Sequence, residues 1–292
     1  MRVLITADLH YDIARSRAAA RELALQICAT PADALVLVGD TAGADLDIFR
    51  EALQLFGGFA GRKLLVPGNH CIWCRGEETS LDRYQRILPE LAGEEGFEVL
   101  DHRPVVLGRV GLAGSIGWYD YSLRDESLGI PREFYEAKLA PGAAAYLGGY
   151  EELFEAHGQA LGERQMAIGS RWMDGRHVRL GMSDEAFCAL LAERLGRQLD
   201  ELAAEVDRII VFMHHLPFGE LVPTGRPDRF AFAAAFMGAR RLGDVLLARP
   251  KVTDVYCGHS HWSGRCRIAH MNVVNVGSTY LDKRLEILEL ES

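Results

Sequence analysis

Cysteine is scarce: six residues in 292, at 28, 71, 74, 188, 257 and 266, too few and too scattered for a disulfide framework and in keeping with a reducing compartment. Cys71 and Cys74 form a C-x-x-C. No second pair completes a zinc ribbon, and the expected redox-helix context is missing, so the pair reads as ordinary packing. Long apolar runs are also lacking, since none approaches the roughly 18 to 20 residues that a membrane span requires. Met1–Ala7 reads as a strand rather than a secretory leader, so the expected location is cytoplasmic, with no membrane partner. There is no surplus of positive charge either: the net charge is −9 and the pI about 5.6. Without a basic stripe the chain is not expected to grip nucleic acid, because phosphate neutralisation supplies most non-specific affinity. An apolar fraction of 49% and a charged fraction of 25% exclude disorder as the default. Repeats and low-complexity tracts are absent.

Short apolar runs are plentiful, and each ends in residues capable of chemistry. Val3-Leu4-Ile5 precedes Asp8-Leu9-His10, Leu35 to Val38 precedes Gly39-Asp40, and Leu64-Leu65-Val66 precedes Gly68-Asn69-His70. Ile209 to Phe212 leads to His214-His215, and Val252 to Tyr256 leads to Gly258-His259-Ser260-His261. Ser16–Ala29 and Asp47–Phe56 carry apolar residues at helical spacing between the first three runs. Strand-helix alternation with buried strands predicts a layered α/β fold. Ligands of such sheets sit beyond the carboxyl ends of the strands, which is where all five polar clusters fall.

Asp8, His10, Asp40, Asn69, His214, His259 and His261 together offer two carboxylates, four imidazoles and one amide oxygen. That set is too rich in nitrogen for calcium or a dedicated magnesium cage and lacks the thiolates of structural zinc. It suits two divalent transition-metal ions, manganese first, with iron, zinc or nickel as alternatives. Seven ligands exceed one tetrahedral site, and a carboxylate with two oxygens can join two ions roughly 3.5 to 4 Å apart. Asp40 is assigned that bridge. The surplus positive charge would draw a phosphate oxyanion, and a metal-bound hydroxide would supply the nucleophile.

These blocks, D-x-H at Asp8 and His10, G-D at Asp40, G-N-H at Asn69 and His70, then His214, then G-H-x-H at His259 and His261, resemble the calcineurin-like metallophosphoesterase superfamily. The resemblance implies a four-layer α/β/β/α sandwich. It also implies that Asp8, His10, Asp40 and His261 hold one metal and that Asp40, Asn69, His214 and His259 hold the other. His70 would be a catalytic imidazole that contacts the phosphate without ligating. The family usually places an acid after that histidine, and Cys71 stands there instead. Asp12, Asp45 and Asp101 are near in sequence, but none is assigned as its substitute. Gly43 replaces the tyrosine ligand of purple acid phosphatases, and Thr41 to Asp45 lacks the arginine triplet of Ser/Thr protein phosphatases. His214-His215-Leu216-Pro217 looks like the H-H-x-P of cyclic-nucleotide-phosphodiesterase-like members.

The whole chain, 1–292, is read as one domain with a mostly helical insertion at approximately 115–207 that would serve as a lid or selectivity wall. Trp118–Arg124 and Arg171–Arg179, the latter containing His177, combine aromatics with arginines. They could stack on a base or fork a second phosphate, although packing of the tryptophans is the plainer reading. Ser183 would cap a long amphipathic helix reaching Val206. The expected activity is hydrolysis of a small phosphate ester, with a diester slightly favoured over a monoester. The alternatives are a catalytically inactive scaffold of the same fold and a nuclease of the same superfamily.

Overall fold

The apolar runs of the sequence become parallel strands of two stacked sheets. The computed structural model of the chain describes residues 1–290. Its first strands are β1 (Arg2–Thr6), β2 (Ala34–Val38), β3 (Arg62–Val66) and β4 (Phe97–Val99). They are followed by β5 (Val105–Leu107), β6 (Val110–Ser115), β7 (Arg208–Met213) and β8 (Val252–Cys257). β9 (Gly264–Ile268), β10 (Met271–Asn275) and β11 (Glu286–Glu289) close the chain. One sheet has the order β11-β1-β2-β3-β4 and the other β5-β6-β7-β8-β10-β9. The inner strands of each run parallel, while β11, β5 and β9 join their neighbours antiparallel.

Side chains alternate across each strand, so every inner strand feeds two cores. Val3, Ile5, Val36, Val38, Leu64 and Val66 meet Leu112, Ile210, Phe212 and Val274 in the layer between the sheets. From the opposite faces, Leu4, Leu35, Leu37 and Leu65 join Leu23, Ile27, Phe49 and Leu53 of the helices Arg17–Ala29 and Leu46–Gln54. Burial of both faces explains why the strands read as continuous apolar runs. The expected α/β/β/α layering is what the chain adopts.

Short helices fill the stretch after β6, among them Arg132–Glu136, Pro141–Leu147 and Asp174–His177. The long helix Asp184–Glu205 begins at Ser183, whose hydroxyl accepts the Ala186 N–H. It packs on β6, β7 and the helix Arg240–Leu247, which makes it a covering helix of the second sheet. Trp118, Tyr119 and Tyr121 are buried beneath these elements, and Trp118 donates its indole N–H to Asp184. The aromatic run after β6 therefore serves packing. No helix among the described residues is long and apolar enough to cross a membrane.

Asp101, just after β4, is buried and accepts the Ile116 N–H and the Tyr84 hydroxyl. Burial pushes its carboxyl up to about 6 from an ordinary 3.8. Between those values the folded chain retains a proton that the unfolded chain has released, so this group lowers stability as pH rises through that window. Asp101→Asn keeps an acceptor oxygen for both donors. It should melt at a higher temperature than the wild type near pH 8, by a margin corresponding to at most about 3 kcal/mol. The margin should close below about pH 4, as thermal melts of both proteins across pH would show.

Candidate metal centre

Five of the polar residues at the strand ends adopt a left-handed backbone although none is glycine: φ is 56° at Asp8, 43° at His10, 47° at Asp40, 69° at His259 and 56° at His261. Each such residue costs roughly 1 to 2 kcal/mol and persists only where its surroundings dictate it. Here they do, through main-chain bonds between loops. The Asp8 N–H donates to the Gly39 carbonyl (3.1 Å), the His10 N–H to the Asp40 carbonyl (2.8 Å), and the Gly39 N–H to the Val66 carbonyl (2.8 Å). Asp8 accepts the His259 N–H at 3.0 Å, and Asp40 Oδ1 accepts the His70 N–H at 3.0 Å.

Two glycines permit this crowding. A Cβ on Gly39 would lie 2.0 Å from His214 Nδ1, and one on Gly68 would lie 2.1 Å from Asp40 Oδ1. The Pro67-Gly68 turn is thus a close-approach site, which is why the apolar run of β3 breaks where it does.

The seven ligand candidates converge. Asp8, His10 and His261 form one group of ligand atoms, and Asp40, His214 and His259 form another, each with its atoms within 4.8 Å of one another. His10, Asp40 and His70 form a third such group. Asp40 stands between the first two: Oδ2 is 3.5 Å from His10 Nε2, and Oδ1 is 3.4 Å from His214 Nε2. Asn69 Oδ1 is 3.2 Å from His214 Nε2. All are buried except His261, which is half-buried. His70 keeps 20% of its side chain exposed, with Nε2 4.0 Å from Asp40 Oδ2.

The nitrogen geometry tests whether cations suit this centre. His214 Nδ1 is 3.3 Å from the Val38 carbonyl and His259 Nε2 is 3.1 Å from the Phe236 carbonyl. Both carbonyls can only accept, so each ring carries its hydrogen on that side. His214 Nε2 and His259 Nδ1 then aim lone pairs at each other across 3.1 Å. His10 Nε2 and His261 Nε2 also approach each other, at 3.2 Å, though no partner on either Nδ1 fixes where the hydrogen sits. Facing lone pairs beside carboxylates repel unless something positive lies between them, and divalent ions fit that requirement.

Electrostatics points the same way. Burial opposes charge on His214, yet the neighbouring Asp40 carboxylate pushes the imidazole up to about 9. Burial likewise disfavours ionised Asp40, but the imidazoles of His214 and His70 hold it well below the usual carboxylate range. Burial keeps His10 and His259 well below the ordinary histidine value, hence neutral and able to ligate, and it raises Asp8. The centre demands positive charge around Asp40.

The remaining candidates fall into place around it. Asp45 caps the helix Leu46–Gln54, and Asp12 is raised by burial with one buried oxygen unpartnered. His215 lies under His259 with ring centroids 4.3 Å apart. Burial drives it down to about 3, so it stays neutral while hydrogen-bonded to the Ile116 carbonyl. Cys71 cannot act as the acid, since burial pushes its thiol up to about 12. Instead His70 stacks on Trp73 at 3.7 Å and 23°, and Trp73 stacks on His177 at 4.6 Å.

Several neighbours were not singled out by sequence. Buried Arg83 donates to the Cys71 and Ala44 carbonyls, tying two ligand loops together. Lys283 Nζ donates to the Asp8 carbonyl at 2.6 Å. Tyr280 packs against His10 and His261. Asp174 accepts from Asn69. Only the last lay in a stretch already marked by its composition, and there the arginines and aromatics drew attention rather than the acid. Beside the cluster opens a cavity of about 400 Å³ whose apolar wall includes Trp73, Trp172, Met173, Phe230 and Met237, with Arg171 among its lining residues.

A family model described as calcineurin-like phosphoesterase matches residues 1–263. Among solved structures, the phosphopantetheinyl hydrolase of Mycobacterium tuberculosis superposes with a TM-score of 0.69 at 17% identity, covering 97% of this chain and 95% of that one. A dimetal phosphatase from Danio rerio gives 0.54 at 14% identity over 97% and 88% of the two chains. Likeness at such identities shows a shared fold. No curated protein sequence matches this one.

The packing reading of the cysteines has a direct check. Cys71, Cys74, Cys188 and Cys257 are buried, whereas Cys28 and Cys266 are half-buried. Timed alkylation of the native protein at pH 8, read by mass spectrometry, should label Cys28 and Cys266 first, with Cys71 and Cys188 reacting only after unfolding, since burial holds both thiols near 12.

Proposed function

The chain belongs to the calcineurin-like phosphoesterase family, and from that premise we propose that it is a dinuclear metal-dependent enzyme hydrolysing a small phosphate ester. The observation that carries this reading is Asp40, whose two oxygens face two different groups of buried donors. Asp8, His10, Asp40 and His261 would hold one ion, and Asp40, Asn69, His214 and His259 the other. Such ions lower the pKa of water toward neutrality and polarise phosphoryl oxygens. Two divalent charges against the carboxylates of Asp8 and Asp40 leave a surplus that favours an oxyanion.

The protein's own contribution is positioning. His70 presents Nε2 on the cluster side of its ring while Trp73 fixes the plane of that ring. From there it can contact the phosphate and give a proton to the departing oxygen. Asp40 holds the His70 main-chain N–H, so the same carboxylate that bridges the donor groups also sets where this imidazole begins. The organic part of the ester would lie along Trp172, Met173 and Phe230, which line the cavity, with Arg171 available to a second anionic group. That makes the residues after β6 a selectivity wall. An apolar wall in a cavity of about 400 Å³ and a net charge of −9 suit a small substrate better than a nucleic-acid strand. The H-H-x-P sequence at His214 to Pro217 leads us to favour a diester, and the nitrogen-rich donor set to favour manganese.

The decisive variant is Asp40→Asn. Purified wild type reconstituted with manganese should hold about two equivalents of metal and turn over a chromogenic phosphodiester. The variant should lose most of that metal and fall to background. Wild type that retains no transition metal, or a variant as active as wild type, would overturn the reading. A panel of monoesters, diesters and cyclic nucleotides assayed with Mn, Fe, Ni, Zn and Mg ranks substrates and ions in the same experiment.

A further inference from the structure

We propose that Asp174, on the helix Asp174–His177, is a positioning residue that locks the Asn69 amide with its oxygen toward the metal cluster. This rests on the metal reading above and goes beyond it, since the family's ligand blocks contain no residue between Asn69 and His214. Asp174 is 1% exposed and 105 positions from Asn69 in sequence. Its Oδ1 accepts Asn69 Nδ2 at 2.9 Å and Trp73 Nε1 at 2.6 Å. Its Oδ2 accepts the Tyr119 hydroxyl at 3.1 Å and Trp172 Nε1 at 2.7 Å. A carboxylate offers about four acceptor positions, and four donors fill them.

The consequence for Asn69 follows from the chemistry of an amide. Its oxygen and nitrogen ends are nearly the same size, so shape alone does not choose between two orientations. Only the oxygen can ligate a cation. Asp174 faces one end of the amide and accepts but does not donate, so the NH₂ must turn to it. The oxygen is then left 3.2 Å from His214 Nε2, on the cluster side. A flipped amide would set its oxygen against the Asp174 carboxylate and its NH₂ against the cations. The same carboxylate also anchors Trp73, which underlies His70, and Trp172, which walls the cavity. One acid from the helical segment after β6 thereby fixes a ligand, the support of the catalytic imidazole and the substrate wall.

Asp174→Asn tests this. Nearly the same shape is kept, but one of its two ends becomes a donor facing donors. Manganese binding by calorimetry should show the site that uses Asn69 weakened by about 10 to 100-fold, with the Asp8, His10 and His261 site changed little. Tyr119→Phe removes one bond to Oδ2 without touching Asn69 and should leave both affinities close to wild type. The informative rescue is the exchange Asn69→Asp with Asp174→Asn. The carboxylate that the exchange places at position 69 has equivalent oxygens and needs no orientation. The amide that it places at position 174 can donate to that carboxylate, so the double variant should recover most of the lost affinity. A purely structural anchor predicts lower melting temperatures for Asp174→Asn and Tyr119→Phe alike and no rescue of metal affinity.

Wild-type affinities in Asp174→Asn, or equal weakening of both sites, would overturn the proposal. If the single variant does not fold, the zinc-loaded wild type still decides. The Asn69 side-chain NH₂ should give a slowly exchanging ¹H-¹⁵N pair, and free exchange with solvent would overturn the proposal. Wild type that binds no metal at all would instead sink the metal reading on which the proposal stands.

Discussion

Everything at this site depends on the meeting of unprotonated imidazole nitrogens around the Asp40 carboxylate. His214 and His259 spend their ring hydrogens on the carbonyls of Val38 and Phe236, and what remains is a pair of lone pairs 3.1 Å apart. In an apolar interior such an arrangement is unfavourable unless a positive charge joins it, because neither nitrogen has anything to donate. When that charge is a proton, His214 carries it, and its imidazole accordingly lies near 9. Divalent cations meet the same demand with more charge and more ligands. Metal and proton therefore compete for one set of lone pairs.

The fold bears a cost to create that meeting. Five non-glycine residues sit in left-handed backbone, together worth roughly 5 to 10 kcal/mol at 1 to 2 each. A strand that leaves its sheet through such a residue turns abruptly, and the turning residues are themselves the clustered donors. Loop-to-loop main-chain bonds hold these turns, as do carboxylate bonds to main-chain N–H groups from Asp8 and Asp40. The donors converge because two sheets end at one edge, and that edge is built from β1, β2 and β3 on one side and β7 and β8 on the other. The layer of Val3, Val36, Leu64, Ile210 and Phe212 beneath them keeps the two edges at a fixed separation. The rigidity of the core thus reaches the site directly, since the donors lie within a few residues of the strand ends.

Much of this was legible in the sequence, for a physical reason. Buried parallel strands require unbroken apolar runs, and ligands at their ends require polar residues immediately afterwards. β1, β2, β3, β7 and β8 satisfied both conditions together. The helices Arg17–Ala29, Leu46–Gln54 and Asp184–Glu205 were visible from their periodicity and, for the last, from Ser183. β9 was not, because Gly264-Arg265-Cys266-Arg267-Ile268 is a half-exposed edge strand with little apolar signal. The three-residue strands β4 and β5 are too short to show a period. The long helix was grouped with the insertion because chain order is visible in sequence and the sheet it covers is not. The stack of Trp73 on His177 and the bonds to Asp174 escaped because they join residues about 100 positions apart. Local patterning carries no trace of such pairs.

The cysteine after His70 shows how far a missing local residue can be offset from elsewhere. In the family pattern an acid follows that histidine. Here Cys71 is buried, and no hydrogen-bond partner meets His70 Nδ1 among the described residues. The imidazole is held by the face of Trp73, and the buried Asp12 carboxyl lies within electrostatic reach of it. A stacked indole fixes the plane of the ring but does not pull on its proton, which is what a neighbouring carboxylate does. The Asp174 carboxylate is spent on the Asn69 amide and the indole N–H groups of Trp73 and Trp172. Both ends of the Asn69-His70 pair are consequently steadied from the helical segment after β6, which also lines the cavity. In this arrangement a change in that segment reaches the cavity wall and the Asn69 amide together, because the same few side chains touch both.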